Sequence, residues 1–217
     1  MEILLKNVWF SYEGEVYVLK RVNAVFDKRG LYIIVGPNGS GKTTLLKIIS
    51  LMYKPCLGEI ILNGENILKM PKYRINEIRK NIIYVHDKPI IIRGNVERNI
   101  RIGIDIHQIK EDDTIEYFID RYSLNKLRYS DAKKLSVGQA KLISLLRAFI
   151  LKPKVLVLDE PFTFLDQYNS FLVMEDLQKL ILNGTMVIMS THYIQQELFL
   201  KALSIYEIIY GELRKLK

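Results

Sequence analysis

Gly36-Pro37-Asn38-Gly39-Ser40-Gly41-Lys42-Thr43 is the stretch on which the reading of this chain turns. It satisfies the pattern G-x-x-x-x-G-K-[ST] in full. Residues 31–35 before it are continuously apolar, the mark of a strand buried on both faces. Residues 42–50 after it read as a helix. A glycine-rich turn between a buried strand and a helix is suited to phosphate. Gly36, Gly39 and Gly41 admit backbone angles closed to other residues, so successive N–H groups turn inward, and the helix N-terminus adds its positive end. Lys42 brings charge to β- and γ-phosphate oxygens, and the Thr43 hydroxyl is suited to Mg2+. The expected phosphate site runs from Gly36 through Thr44 and includes Pro37, Asn38 and Ser40. A chance glycine-rich turn would lack the flanking strand and helix.

The second half of such a site is Val155-Leu156-Val157-Leu158-Asp159-Glu160. A buried strand delivers two carboxylates at its C-terminal end, where open α/β sheets bind ligands. Asp159 is suited to hold hydrated Mg2+, and Glu160 to act as general base toward a water. A strand ending in solvated acids is common by itself. Paired with the phosphate loop, the two acids become candidate catalytic groups.

Working outward, the first thirty residues are strand-like, with Val8, Phe10, Val16, Val18, Val22, Val25 and Phe26 between turn residues such as Gly14 and Gly30. Further apolar runs at 82–85, 155–158 and 186–189 alternate with helical stretches, which predicts a mainly parallel sheet with helices on both faces. Residues 95–151 differ. Ile115, Phe118, Ile119 and Tyr122 recur at helical spacing, as do Leu142, Leu145, Leu146 and Phe149. The expected organisation is one α/β domain over residues 1–217. Residues 1–30 form an antiparallel β part, 31–87 and 136–217 the catalytic core, and about 88–135 an inserted helical lobe.

Composition sets outer bounds. The chain of 217 residues is 49% hydrophobic and 26% charged, as in ordinary globular proteins and unlike disordered ones. Its single cysteine, Cys56, excludes an internal disulfide and suits a reducing compartment. No secretory signal is read at the start, where Glu2, Lys6 and Asn7 interrupt the apolar pattern. No apolar run approaches the ~18 residues needed to cross a bilayer. The net charge of +8 is compatible with a solvated lysine-rich surface, with anionic lipid headgroups or with nucleic acid. The basic residues are scattered and not interleaved with aromatics, which favours the solvated surface and makes nucleic acid the weakest of the three.

Leu135-Ser136-Val137-Gly138-Gln139, about twenty residues before Asp159, resembles the Leu-Ser-Gly-Gly-Gln signature of the ATP-binding cassette family. Its local physics is also that of an S-x-x-Q capping box opening a helix. The two readings agree, because a capped helix N-terminus is an anion site. Three further stretches follow in the family's order. Tyr12 resembles the aromatic residue that stacks on adenine. Glu160-Pro161-Phe162-Thr163-Phe164-Leu165-Asp166 resembles the catalytic Glu-Pro stretch and the following D-loop. Ser190-Thr191-His192 resembles the switch histidine that senses the γ-phosphate.

The resemblance spans essentially the whole chain. It implies a P-loop ATPase with ATP and Mg2+ bound. Two copies, or this chain and a paralogue, would sandwich two ATP molecules. Each ATP would lie between the phosphate loop of one chain and Ser136, Gly138 and Gln139 of the other. The family's loop glutamine corresponds to Asp87 here, a carboxylate suited to Mg2+. Val137 replaces the first signature glycine, and Phe164 stands where the D-loop usually has a small residue. The family reading further implies a separate transmembrane subunit docked on the helical lobe, and a cytoplasmic location on the inner face of the membrane. The alternatives are a soluble cassette acting on nucleic acid or ribosomes, and a degenerate regulatory subunit. Repair and chromosome cassettes insert long coiled coils between loop and signature, and residues 44–134 carry no sustained heptads.

Overall fold

The computed structural model describes residues 1–14, 16–107, 113–193 and 196–217, with backbone alone at Glu197. Strand β1 (Ile3–Phe10) buries Ile3, Leu5, Val8 and Phe10 on one face, and β2 (Leu19–Phe26) pairs with it antiparallel. The chain then crosses to a second sheet as β3 (Gly30–Val35) and turns through the glycine-rich loop into α1 (Lys42–Ile49). It returns to the first sheet as β4 (Leu57–Leu62), antiparallel to β1, and β5 (Glu65–Asn66) closes the edge.

The antiparallel part is therefore larger than residues 1–30, and residues 57–66 belong to it and not to the parallel core. The cause is tertiary. Ile60 and Leu62 point into the core that also holds Ile3 and Leu5. Gly58, at φ 92°, lets its backbone press on β1, where a Cβ would stand 2.2 Å from the Asn7 carbonyl oxygen.

After α2 (Lys72–Arg79) come β6 (Ile82–Val85), α3 (Val96–His107), α4 (Thr114–Arg121), α5 (Val137–Phe149) and β7 (Val155–Leu158). The chain ends with α6 (Gln167–Leu182), β8 (Met186–Thr191), α7 (Gln196–Lys201), β9 (Ala202–Ile209) and β10 (Glu212–Lys215). The second sheet runs β10-β9-β3-β8-β7-β6. Its neighbours are parallel except for the β10–β9 pair at the edge.

Both faces of this sheet are covered, which is why its strands read as unbroken apolar runs. Leu31 and Ile33 of β3 join Leu156, Leu158, Val187 and Met189 in a core shared with α3 to α6. Tyr32 and Ile34 join Val155, Val157 and Ile188 in a second core, shared with α1 and the antiparallel sheet. The strand period of two assigns alternate residues to the two cores.

Over residues 88–135 the described segments hold α3, α4 and two short 3-10 turns at Asn125–Leu127 and Ala132–Lys134. Residues 108–112 of the expected lobe lie outside the described residues. One buried carboxylate ties α4 to α6. Asp176 accepts from Tyr122 Oη at 2.8 Å, Arg121 Nε at 3.0 Å, Tyr117 Oη at 3.2 Å and Lys179 Nζ at 3.2 Å. Burial and the Asp176 charge push the Tyr122 hydroxyl far above its usual range, so it stays a donor.

Candidate functional site

Four adjacent parallel strands, β3, β8, β7 and β6, finish at one rim of the sheet, and each hands over a candidate group there. β3 leads into the phosphate loop, β8 into His192, β7 into Asp159 and Glu160, and β6 into His86 and Asp87. A cleft of about 280 Å3 at this rim is lined by Asn38, Gly39, Gly41, Lys42, Thr43 and Thr44, with Asp87, Glu160 and His192 opposite. Val18 also lines it.

The loop has the geometry its glycines allow. Gly39 and Gly41 take φ of 75° and 109°. At Gly36 a Cβ would lie 2.3 Å from the Ile208 carbonyl oxygen, so the loop closes down on β9 only without a side chain. Lys42 is buried and bends back to donate to the Gly36 carbonyl at 2.7 Å and the Pro37 carbonyl at 3.1 Å. Ser40 Oγ is buried within the loop without a protein partner. A cradle of this shape fits the phosphates of a nucleotide.

The acidic half is held as tightly. Asp159 is fully buried, and its carboxylate collects three hydroxyls. Thr43 Oγ1 donates at 2.7 Å and Tyr84 Oη at 3.0 Å to Oδ2, while Ser190 Oγ donates at 2.6 Å to Oδ1. Burial, reinforced by the Asp159 charge, pushes Tyr84 far above the usual phenol range. Ser190 Oγ in turn accepts from the Glu160 backbone N–H at 3.0 Å. That contact fixes Glu160 in the left-handed conformation, φ 48°, which aims its carboxylate into the cleft.

Glu160 Oε1 is buried and stands 3.1 Å from His192 Nε2 and 3.5 Å from Lys42 Nζ, with a well-formed hydrogen bond to neither. The other ring nitrogen, His192 Nδ1, is 3.5 Å from Lys42 Nζ. Lys42, Glu160 and His192 thus meet at one point, where an incoming phosphate would compete with Glu160 for the lysine. Hard oxygen donors, Thr43 Oγ1 and the Asp159 carboxylate with Asp87 on the same cleft, fit Mg2+. Among the described residues no three His, Cys, Asp or Glu side chains converge to hold a metal. The fit is that of an ion sharing its shell with phosphates and water.

Tyr12 lies beside this cleft. It is more than half exposed, its hydroxyl is 2.9 Å from Thr44 Oγ1, and its ring packs edge-on against Phe10 and Tyr53. Ser136, Gly138 and Gln139 do not line the cleft. Ser136 and Gln139 form a complete capping box at the start of α5. Ser136 Oγ accepts from the Gln139 N–H at 3.2 Å, and Gln139 Oε1 accepts from the Ser136 N–H at 3.0 Å. Gly138 is pressed against the D-loop, where a Cβ would lie 2.5 Å from the Phe164 carbonyl oxygen. Val137 points outward, so its departure from glycine meets no obstacle within the chain. Phe164 is exposed and left-handed, φ 72°.

Three contributors escaped sequence reasoning. Tyr84 sits in an apolar strand run and Ser190 beside the switch histidine, and neither was assigned a role. Lys141, fully buried in α5, donates to the carbonyls of His86 at 2.9 Å, Asp87 at 3.0 Å and Asp159 at 3.1 Å. Burial draws its ammonium down to about 8, against the pull of Asp159, Asp87 and Glu160. A lysine in the middle of an apolar helix face was the available signal.

Comparison with known proteins gives the family. The ABC transporter family profile matches residues 19–163. The chain is 34% identical over 200 residues to the energy-coupling factor transporter ATP-binding protein EcfA1 of Thermotoga maritima, covering 90% of this chain and 74% of that protein. It is 35% identical over 184 residues to the spermidine/putrescine import ATP-binding protein PotA of Mycoplasma mycoides, covering 81% of this chain and 50% of that one. Among solved structures, an ATP-binding subunit of an ABC transporter superposes with a TM-score of 0.86 at 22% identity, covering 100% of this chain and 90% of that one. A dimeric ATP-binding cassette in a post-hydrolysis state, bound to ADP and Pi, gives 0.83 at 25% identity, covering 99% of each chain. The chain belongs to the ABC transporter family, as an ATP-binding and ATP-hydrolysing subunit.

Proposed function

We propose that two copies of this chain, or this chain and a paralogue, close around two MgATP molecules and drive a separate membrane-spanning partner through ATP hydrolysis. The observation that carries this reading is the meeting of Glu160 Oε1, His192 Nε2 and Lys42 Nζ at the mouth of the phosphate loop. Lys42 would leave the Gly36 and Pro37 carbonyls for the β- and γ-phosphates. Glu160, freed from the lysine, would take a proton from the attacking water as its oxygen bonds to the γ-phosphorus and the bond to ADP breaks. His192 would hold the Glu160 carboxylate on one side and the γ-phosphate on the other. Thr43, Asp159 and Asp87 would hold Mg2+, whose charge offsets that of the phosphate oxygens. Tyr12 would stack on adenine.

Ser136, Gly138 and Gln139 would serve the ATP held by the other subunit. Their position off the cleft supports this assignment, because a single chain offers that helix N-terminus no phosphate. The membrane partner would dock on the helical lobe. A groove of about 300 Å3 between β6 and α3, lined by Ile83, His86, Ile90, Ile102 and Ile106, offers it an apolar seat beside Asp87. The chain would sit as a peripheral subunit on the cytoplasmic face; among the described residues no helix is long and apolar enough to cross a membrane.

A pair of variants tests the two-chain site. Lys42→Ala removes the charge on the β/γ-phosphates and is expected to lose MgATP binding. Ser136→Arg is expected to keep binding by the monomer and to lose ATP-driven dimerisation. Equal loss of nucleotide binding in both would refute a site shared between two chains.

A further inference from the structure

Lys141 lies in the second turn of α5, the helix that begins with the Ser136–Gln139 capping box. Its side chain is fully buried, and among the described residues its hydrogen bonds go to backbone carbonyls. An ammonium has three protons, and each of the three carbonyls of His86, Asp87 and Asp159 receives one. Those carbonyls belong to two separate segments at the rim of the sheet. His86 and Asp87 follow β6, and Asp159 ends β7 and carries the carboxylate held by Thr43. An apolar side chain would fill the same volume without the cost of burying a charge. What the ammonium adds is direction. It fixes the signature helix to the loop of Asp87 and to the strand end of Asp159 at a single point.

Helix α5 runs unbroken from its cap through Lys141, and Ser136 and Gln139 satisfy each other's backbone donors at its start. Any displacement of those carbonyls would act on the helix that opens with Ser136. We propose that Lys141 is a positioning residue that joins each chain's own nucleotide site to the signature it presents to its partner. Filling the first site then reorients the second before the partner arrives. This inference rests on the two-chain site proposed above, since only there does a chain's signature serve a different ATP from its own.

The link is read within a single chain. In a Cys56→Ser background, Val137→Cys carries an environment-sensitive fluorophore on the exposed edge of the signature. MgATP is added at protein concentrations where sedimentation shows monomer. With Lys141 present, the emission shifts as nucleotide fills the chain's own cleft. In Lys141→Met the affinity for MgATP stays within about threefold while the shift falls about fivefold or more, the range of a coupling free energy between sites. Lys141→Gln, which retains donors for two carbonyls, gives an intermediate shift. An equal shift in Lys141→Met, or no shift with Lys141 intact while MgATP binds, overturns the link and leaves the nucleotide site standing. Failure of the Lys141-intact chain to bind MgATP overturns the proposed function and this inference together. Should Lys141→Met not fold, Lys141→Gln decides: a reduced shift supports the link and an unchanged one overturns it.

Discussion

Thr43 Oγ1 donates a 2.7 Å hydrogen bond to Asp159 Oδ2, joining the glycine-rich loop to the end of β7 across 116 residues of sequence. The same oxygen accepts from Tyr84 Oη, so the aspartate is oriented before any ligand arrives. Groups that orient a metal ligand are worth about 10- to 100-fold in metal affinity when removed. Tyr84→Phe is therefore expected to raise the Mg2+ concentration for half-maximal ATPase activity about tenfold, with activity largely restored at saturating Mg2+. Superimposable magnesium titrations of Tyr84→Phe and the parent chain would remove Tyr84 from that role.

Asp87 lines the cleft, and its backbone carbonyl accepts from Lys141. A carboxylate there suits Mg2+ and also adds negative charge near the γ-phosphate. Asp87→Gln is expected to keep or increase ATP-driven dimerisation and to hydrolyse ATP at least as fast as the parent. Asp87→Ala is expected to weaken the dependence of activity on Mg2+ without abolishing nucleotide binding. If all three gave the same magnesium curve, the side chain would not touch the metal and the loop would act only through its backbone.

Gly138→Ala tests the contact between signature and D-loop. Its Cβ would stand 2.5 Å from the Phe164 carbonyl oxygen, a backbone atom that cannot swing aside. The strain is expected to cost about 1–3 kcal/mol and to push the D-loop out of position. MgATP binding by the monomer should persist while dimerisation weakens. Dimerisation at parental strength would show that the D-loop adapts freely.

Asp176→Ala tests the bolt between α4 and α6. It leaves Arg121 half-paired and two tyrosine hydroxyls without their shared acceptor. Breaking a buried charged network by removing one partner costs roughly 3–5 kcal/mol. Urea denaturation should show a loss of that size. A loss under about 1 kcal/mol would mean that the cluster is solvated in solution.

The sheet core and the loop were legible in the sequence because their chemistry leaves few substitutes. Only glycine fits at Gly36 against Ile208, and strands buried on both faces must read as unbroken apolar runs. The join of residues 57–66 to the antiparallel sheet was not legible, because strand pairing is decided by a distant partner and not by local period. The same holds for Tyr84, 75 residues from the aspartate it orients. Lys141 interrupts an apolar helix face, but the three carbonyls it serves come from distant segments and are visible only in the fold. The signature motif was legible as a capped helix. Its distance from the cleft within one chain became visible only in three dimensions.

The proposed nucleotide sandwich is closed by two chains and opened by hydrolysis at Glu160. Glu160→Gln keeps size and removes both the base and a charge that repels the γ-phosphate, so turnover should fall by about 10²- to 10⁴-fold while MgATP still binds. The direct measurement is sedimentation of Glu160→Gln with and without MgATP, and of the same protein carrying Ser136→Arg. A monomer is expected without nucleotide, a stable dimer with MgATP, and a nucleotide-bound monomer when Ser136→Arg is added. A Glu160→Gln chain that binds MgATP and remains monomeric, or a dimer indifferent to Ser136→Arg, would contradict it.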